Sequence, residues 1–341
     1  MNARPAWTAE EPEEDNVVDV SSDSRQQTQD IPRPIGFGPI SLPTRDVAQS
    51  KRFFTEVLGG EVHEEGDLVR VQLGSFGVVL GPQEGGATAP HREHPHYAFT
   101  VPPEQFVPLK QRLEAFGVPT HEPWTRSGSP CSLMYFRDPS GNQFEMYCAE
   151  GEIGLPRRIG ARAGGDYVIP FPSLVYSEVK DPTVEPPAVR ASDFNHMTIP
   201  SKDLGESKRF LTEIFGGTVK IDNSSHVTVE VGGMEIGNGG PLDGGWPAPD
   251  AEYPHYTLLV APEDLVPLRD RLQSYGVPTG EIFTRSGSDA ALYYRDPTGN
   301  LWELYCERGF SGEARRAPSA GGSYVTDLPA LCYDHWNDPG L

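Results

Sequence analysis

YFRDPSGNQFEMYC at residues 135–148 returns as YYRDPTGNLWELYC at residues 293–306, 158 positions later. Working outward from this pair, RLEAFGVPT at 112–120 returns as RLQSYGVPT at 271–279, and SKRFFTEVLGG at 50–60 returns as SKRFLTEIFGG at 207–217. The text after each unit matches too: GGDYVIPFPSLVY at 164–176 recurs as GGSYVTDLPALCY at 321–333. The spacing drifts by a residue or two between matches, which loop insertions produce without a change of fold. The chain is therefore a tandem duplication, joined by the Pro-rich linker KDPTVEPPAVRAS at 180–192.

The order of elements repeats again inside each unit. In the second unit, 194–199 alternates as a strand, and Asp203 is placed to cap a helix over 204–215 whose Phe210, Leu211, Ile214 and Phe215 fall at helical spacing. Gly216-Gly217 stops that helix. Short strands are predicted at 219–221, 227–231 and 234–236. The pattern then restarts, with a strand at 255–260, a helix at 263–275 ended by Gly276, and strands at 279–283, 291–294 and 301–306. Each half-unit reads β-α-β-β-β, and the α+β chain holds four such modules.

Composition bounds the function. The 341 residues exceed what one compact core usually holds, and 37 Gly with 34 Pro predict short elements and many turns. A formal charge of −21 argues against nucleic acid or anionic membrane as partner. No apolar run approaches a membrane span, and the N-terminal text lacks the basic-then-apolar order of a signal peptide, so the expected location is cytoplasmic. Cys131, Cys148, Cys306 and Cys332 form no CxxC pair; Cys148 and Cys306, at matching strand ends, read as small buried hydrophobes, and no disulfide framework is expected. Residues 1–35 carry eight acidic and three basic residues in Ser/Gln-rich text and read as a disordered tail.

Paired βαβββ modules, with LGG or FGG after the first helix and DPxGNxxE before the last strand, resemble the vicinal oxygen chelate superfamily. That superfamily includes glyoxalase I, methylmalonyl-CoA epimerase, fosfomycin-resistance thiol transferases, bleomycin-binding proteins and extradiol catechol dioxygenases. The resemblance spans about Ile35–Gly309. It implies two tandem domains, 36–150 and 193–309, with curved mixed sheets, followed by tails at 151–192 and 310–341. It also implies a cup in which metal ligands come from the first and last strands of two modules.

Carried over residue by residue, the resemblance gives the second unit His196 on its first strand, Glu235 in GGMEIGNGG, His255 in YPHYTLLV and Glu303 in GNLWELY. Two imidazoles and two carboxylates suit one divalent ion, Fe, Mn, Zn, Ni or Co. The first unit has Pro39, Gly77, His96 and Glu145 at those positions, so it reads as a scaffold or a lost site. His91, His94 and His96 cluster in HREHPHY at 91–97, a candidate metal cluster whose leading reading is solvated loop histidines beside an inherited strand residue.

Two chemistries follow from the resemblance. In the glyoxalase and epimerase manner, a metal-polarised carbonyl would lose and regain a proton through Glu235 or Glu303, and this reading leads. The alternative is extradiol ring cleavage with Fe(II) or Mn(II), in which Tyr293 would contact a catecholate. Against it, Thr284, Arg285 and Ser286 occupy the window of one expected proton-handling histidine, and Gly232-Gly233 the place of the other. A third reading is a metal-free small-molecule binder. Arg285, in a TRSGS motif shared with Arg126, is a candidate for a substrate carboxylate or phosphate or for shaping its loop. A C-terminal tail folded over the cup would bring His335 in as an acid–base group. Four modules in one chain complete two cups without a partner, so a monomer or a homodimer is expected.

Overall fold

The computed structural model describes residues 32–65, 68–83, 91–149, 153–158, 169–189, 193–240, 246–317 and 327–337. The reading of residues 1–35 falls, apart from 32–35, outside the described residues.

The first module runs β1 (Gly36–Thr44), α1 (Val47–Arg52), β2 (Glu61–Glu65), β3 (Leu68–Leu73) and β4 (Phe76–Pro82). The second runs β5 (His96–Thr100), α2 (Pro103–Ala115), β6 (Trp124–Arg126), β7 (Ser132–Arg137) and β8 (Gln143–Cys148), and the first tail adds β9 (Arg157–Arg158). The third holds β10 (Asp193–Pro200), α3 (Leu204–Arg209), β11 (Thr218–Asp222), β12 (His226–Val231) and β13 (Met234–Gly239). The fourth holds β14 (His255–Leu259), α4 (Leu265–Ser274), β15 (Phe283–Thr284), β16 (Ala290–Arg295) and β17 (Leu301–Cys306), with β18 (Arg315–Arg316) in its tail.

The helices start where the sequence says they should. Asp46 accepts from Ala48 N and Gln49 N, and Asp203 accepts from Glu206 N, each covering donors that the first turn leaves unpaired. Both first helices then widen into a π-helical turn, Phe53–Val57 and Phe210–Ile214, that places their aromatic residues in the core. Among the described residues no helix is long and apolar enough to cross a membrane.

Pairing of the strands departs from the sequence reading. The modules form two nine-stranded mixed sheets, but neither sheet is one half of the chain. Sheet 1 joins the first module to the fourth, with β1 antiparallel to β14. Sheet 2 joins the third to the second, with β10 antiparallel to β5. The expectation of one cup per repeat unit is corrected here: each sheet takes one module from each half.

Within a half, the modules are held together by other means. Asp138 in the DPSGN turn accepts from Asn142 N at 2.8 Å and Asn142 Nδ2 at 2.7 Å, and the same Nδ2 donates to Pro43 O at the end of β1. Asp296 and Asn300 repeat this bond to Pro200 O at the end of β10. Gly141 and Gly299 take positive φ, +93° and +100°, in these turns, where a side chain would be strained. The recurring Arg of the second helices serves the same end: Arg112 Nε donates to Val57 O and Arg271 Nε to Ile214 O, covering carbonyls left open at the π-helical turns.

Alternation along the strands sorts side chains to two faces. Tyr97, Phe99, Phe144, Met146, Met197, Ile199 and Ile236 share a continuous core with Ile40, Val78, Tyr256, Leu258 and the helices. The alternate residues, including His96, His196, Glu145, His255 and Glu303, lie on the opposite face, termed here the outer face. Segments of the two tails pack onto those outer faces: Leu174 and Phe171 against Tyr135, Leu133 and Trp124, and Leu328 and Leu331 in one cluster with Tyr293 and Phe283.

Candidate metal site

The strand pairing decides which candidate ligands meet. His196 and Glu235 are neighbours in the parallel β10–β13 ladder of sheet 2. His255 and Glu303 lie in sheet 1, on β14 and β17. The four residues assigned to one ion are therefore two pairs in two different sheets. Each pair instead meets the corresponding residues of the other half: His196 and Glu235 face His96 and Glu145, while His255 and Glu303 share a sheet with Pro39 and Gly77.

On sheet 2, the candidate ligand atoms of His96, Glu145 and His196 lie within 4.8 Å of one another. His96 Nε2 is 3.2 Å from Glu145 Oε2, and His196 Nε2 is 3.8 Å from the same oxygen. The other ring nitrogens are occupied: His96 Nδ1 donates to Glu93 O at 3.3 Å, and His196 Nδ1 donates to Asn195 Oδ1 at 2.7 Å. Because both acceptors are oxygens, the proton is fixed on Nδ1 and the Nε2 lone pair is aimed at Glu145. Two lone pairs and a carboxylate oxygen converging in a buried place call for a cation between them.

Electrostatics agree with a neutral His196. Burial pushes His196 down to about 4; the charge of Glu145 opposes this, and those of His96 and Arg126 add to it. Burial opposes ionisation of Glu145, but its neighbours His96, first, and His196 hold it below the usual carboxylate range. The set of two imidazoles and one carboxylate fits a borderline divalent ion with positions left open.

Glu235 is half-buried on the same face as His196, but it is not one of the three clustered ligands. Tyr135, the counterpart of Tyr293, sits edge-on to His96 with ring centres 5.3 Å apart, and burial raises its hydroxyl well above the ordinary value. Arg126 is exposed at the end of β6, close enough for its charge to act on both Glu145 and His196, and it makes no ion pair among the described residues.

Two further histidines lie on this face: His226, which the sequence reading passed over, and His94 of the HREHPHY cluster. His226 on β12 lies over Gly237, whose Cβ would come within 2.9 Å of the ring, and its Nε2 is 3.0 Å from Thr228 Oγ1. His94 is buried, not solvated as expected, and its ring fills the space above Gly239, 5.2 Å from His96 between centres. At the matching places in sheet 1 stand Leu68 and Tyr253. Alternation in HVTVEV would have put His226 on one face with Glu230. Only the pairing with β13 shows which face that is.

The outer face of sheet 1 has the same plan with different occupants. His255 Nδ1 donates to Glu252 O at 3.0 Å, matching His96. Glu303 is already satisfied, by Arg285 Nη2 at 2.9 Å and by Thr257 Oγ1 at 3.1 Å. Pro39 lacks a donor, and Gly77 has no side chain. These residues do not fit a metal ion. Tyr293 is buried there, edge-on to His255 at 5.3 Å.

The C-terminal tail does not deliver His335 to either face. Trp336 packs between Phe210 and Tyr275 on the helix side, with the Arg209 guanidinium over its ring, and His335 points to solvent. This corrects the expectation of an acid–base role for that tail.

Comparison with known proteins agrees with the two-unit plan. The family model described as Glyoxalase/Bleomycin resistance protein/Dioxygenase superfamily matches twice, over residues 36–146 and 193–304. The glutathione transferase FosA of Serratia marcescens is 34% identical over 111 residues, 32% of this chain and 77% of that protein. A Bacillus subtilis protein with a provisional dioxygenase assignment superposes with a TM-score of 0.59 at 18% identity, over 83% of this chain and 89% of that one. A single-residue mutant of glyoxalase I from Zea mays gives a TM-score of 0.50 at 12% identity, over 80% and 92%. These two structural likenesses concern the fold. With both units matched over more than half its length, the chain belongs to the glyoxalase/bleomycin resistance protein/dioxygenase superfamily.

Proposed function

We propose that the protein is a divalent-metal enzyme with one working site per chain, on the outer face of sheet 2. His96, Glu145 and His196 hold the ion, and Arg126 receives an anionic group of a small oxygen-bearing substrate. The observation that carries this reading is the convergence of two Nε2 lone pairs on one buried carboxylate oxygen. A bound ion supplies polarisation of a substrate oxygen. The chain's own residues do the rest: Arg126 orients the substrate, Tyr135, whose hydroxyl donates to Glu93 Oε1 at 3.4 Å, walls the site beside His96, and Glu235, beside His196 but outside the ligand cluster, takes and returns a proton at the neighbouring carbon. This is the lyase or isomerase class of chemistry.

A second reading, extradiol-type ring cleavage, is favoured by the donor set itself, since two histidines and one carboxylate suit ferrous oxygen chemistry. Thiol addition, the activity class in the name of the Serratia relative, would use the same ligands.

Metal analysis by plasma mass spectrometry on untagged protein purified without oxygen tests the site. About one divalent ion per chain is expected, lost in H196A and E145Q and retained in H255A and E303Q. Loss in the latter pair instead, or no metal in the wild type, would sink the reading. Glu235→Gln should keep the ion but slow solvent-proton exchange into a turned-over carbonyl substrate by about 100-fold or more. Oxygen uptake with catechols, or thiol consumption, would move the assignment to one of the other classes.

A further inference from the structure

We propose that Arg285 is the resident cation of the outer face of sheet 1, so that Glu303 and His255 form a metal position closed from within by the chain itself. This inference concerns the other sheet and does not rest on the function assigned to sheet 2. Glu303 is 5% exposed, and a buried carboxylate needs a compensating charge. Its Oε1 receives Arg285 Nη2 at 2.9 Å, its Oε2 receives Thr257 Oγ1 at 3.1 Å, and His255 Nε2 stands 4.0 Å from Oε2. The guanidinium offers only N–H donors, which cannot ligate a metal, and its charge repels one.

The arginine is held in place from three sides. Its guanidinium carbon lies 4.9 Å from the Phe283 ring centre and 5.4 Å from that of Tyr305. Its loop is pinned by Asp289, which accepts from Arg285 N at 3.1 Å, Ser286 N at 2.6 Å and the hydroxyls of Thr284 at 2.9 Å and Ser286 at 2.6 Å. Sheet 2 differs at the matching positions. Cys131 replaces Asp289, Ala98 replaces Thr257, and Arg126 is exposed while Glu145 is left to the histidines. Thus the same arginine pairs internally on one sheet and stays open on the other, and the switch follows from Asp289 and Thr257.

The test uses the full-length chain in the H196A background, which removes one ligand of the His96–Glu145–His196 set. In chelator, H196A/R285M should melt several degrees below H196A, and H196A/R285M/E303Q should recover most of that loss. An unchanged melting point in H196A/R285M overturns the proposal. So does a variant with E303Q added that is as unstable as the one without it, because the guanidinium would then matter for packing on Phe283 and Tyr305 and not for charge. Should H196A/R285M not fold, folding of the variant that also carries E303Q supports the proposal, and its failure to fold overturns it. In a second arm, Zn²⁺ or Mn²⁺ alone is the probe. H196A/P39H/R285M should bind about one ion per chain more than H196A/P39H; equal uptake by the two folded proteins overturns it. A metal-free wild type would defeat the functional reading above and leave these melting comparisons intact.

Discussion

His226 approaches the outer face of sheet 2 from β12, two strands away from β10, and nothing near it in the sequence announces a site. Burial pushes its imidazolium down to about 4, with the charges of His96, Arg126 and His196 acting in the same direction and Glu145 opposing them. The sign of the consequence follows from linkage. An unfolded histidine binds its proton near 6.5 and the folded one near 4, so between those values the unfolded chain holds more protons and stability falls as pH falls. Above about 6.5 the contribution is level, and the full loss is reached below about 4. For this residue it amounts to about 3 kcal/mol at most. Chemical denaturation in chelator at about pH 7, above the window, and about pH 4.5, near its lower end, checks it: the drop in stability between the two should be smaller in H226Q than in the wild type. An equal drop in both proteins would show that His226 titrates normally in the folded state.

At the scale of elements, the sequence showed more than it could place. The four βαβββ modules, the Asp203 cap and the glycine stops stand where the periodicity put them, because each is a local signal that a few residues carry. The tails are different, since their apolar residues are sparse and their docking surface is made by distant helices and strands. Trp336 lies between Phe210 and Tyr275, so replacing it by Ala should cost about 2–3 kcal/mol, less than a fully buried Trp because part of the ring is open to solvent. Because the tail lies on the helix side there, W336A should keep its metal. H335A should change neither stability nor metal content, as an exposed residue away from the site would. Urea titrations with metal analysis on both variants decide this. Loss of the ion in H335A would return the tail to the site and contradict its observed docking.

At the scale of the molecule, the repeat showed which residues correspond, and its text reads as one whole ligand set and one degraded one. It could not show which modules pair, because a repeat is equally consistent with strands pairing inside a unit or across units. His196 and Glu235 were matched with His255 and Glu303 for that reason, whereas β10 pairs with β5 and so meets His96 and Glu145. Seen from the modules, each half donates an edge: β1 and β5 from the first half, β10 and β14 from the second. A half on its own exposes two unpaired edges, a strong drive to find partners. Two chains cut within the 180–192 linker and expressed together should therefore assemble one to one, with about one divalent ion per pair. The first half alone carries His96 and Glu145 without His196, and should hold the ion far more weakly than the assembled pair. The second half alone should dimerise, β10 of one copy taking β14 of the other, which brings His196 beside His255 and Glu303 of the second copy. Arg285 stays on Glu303 in that dimer, so the ion should be absent until R285M is introduced. Light scattering and metal analysis on the three preparations read this out. A second half that stays monomeric, compact and metal-loaded would mean that the pairing across halves is not what builds the site.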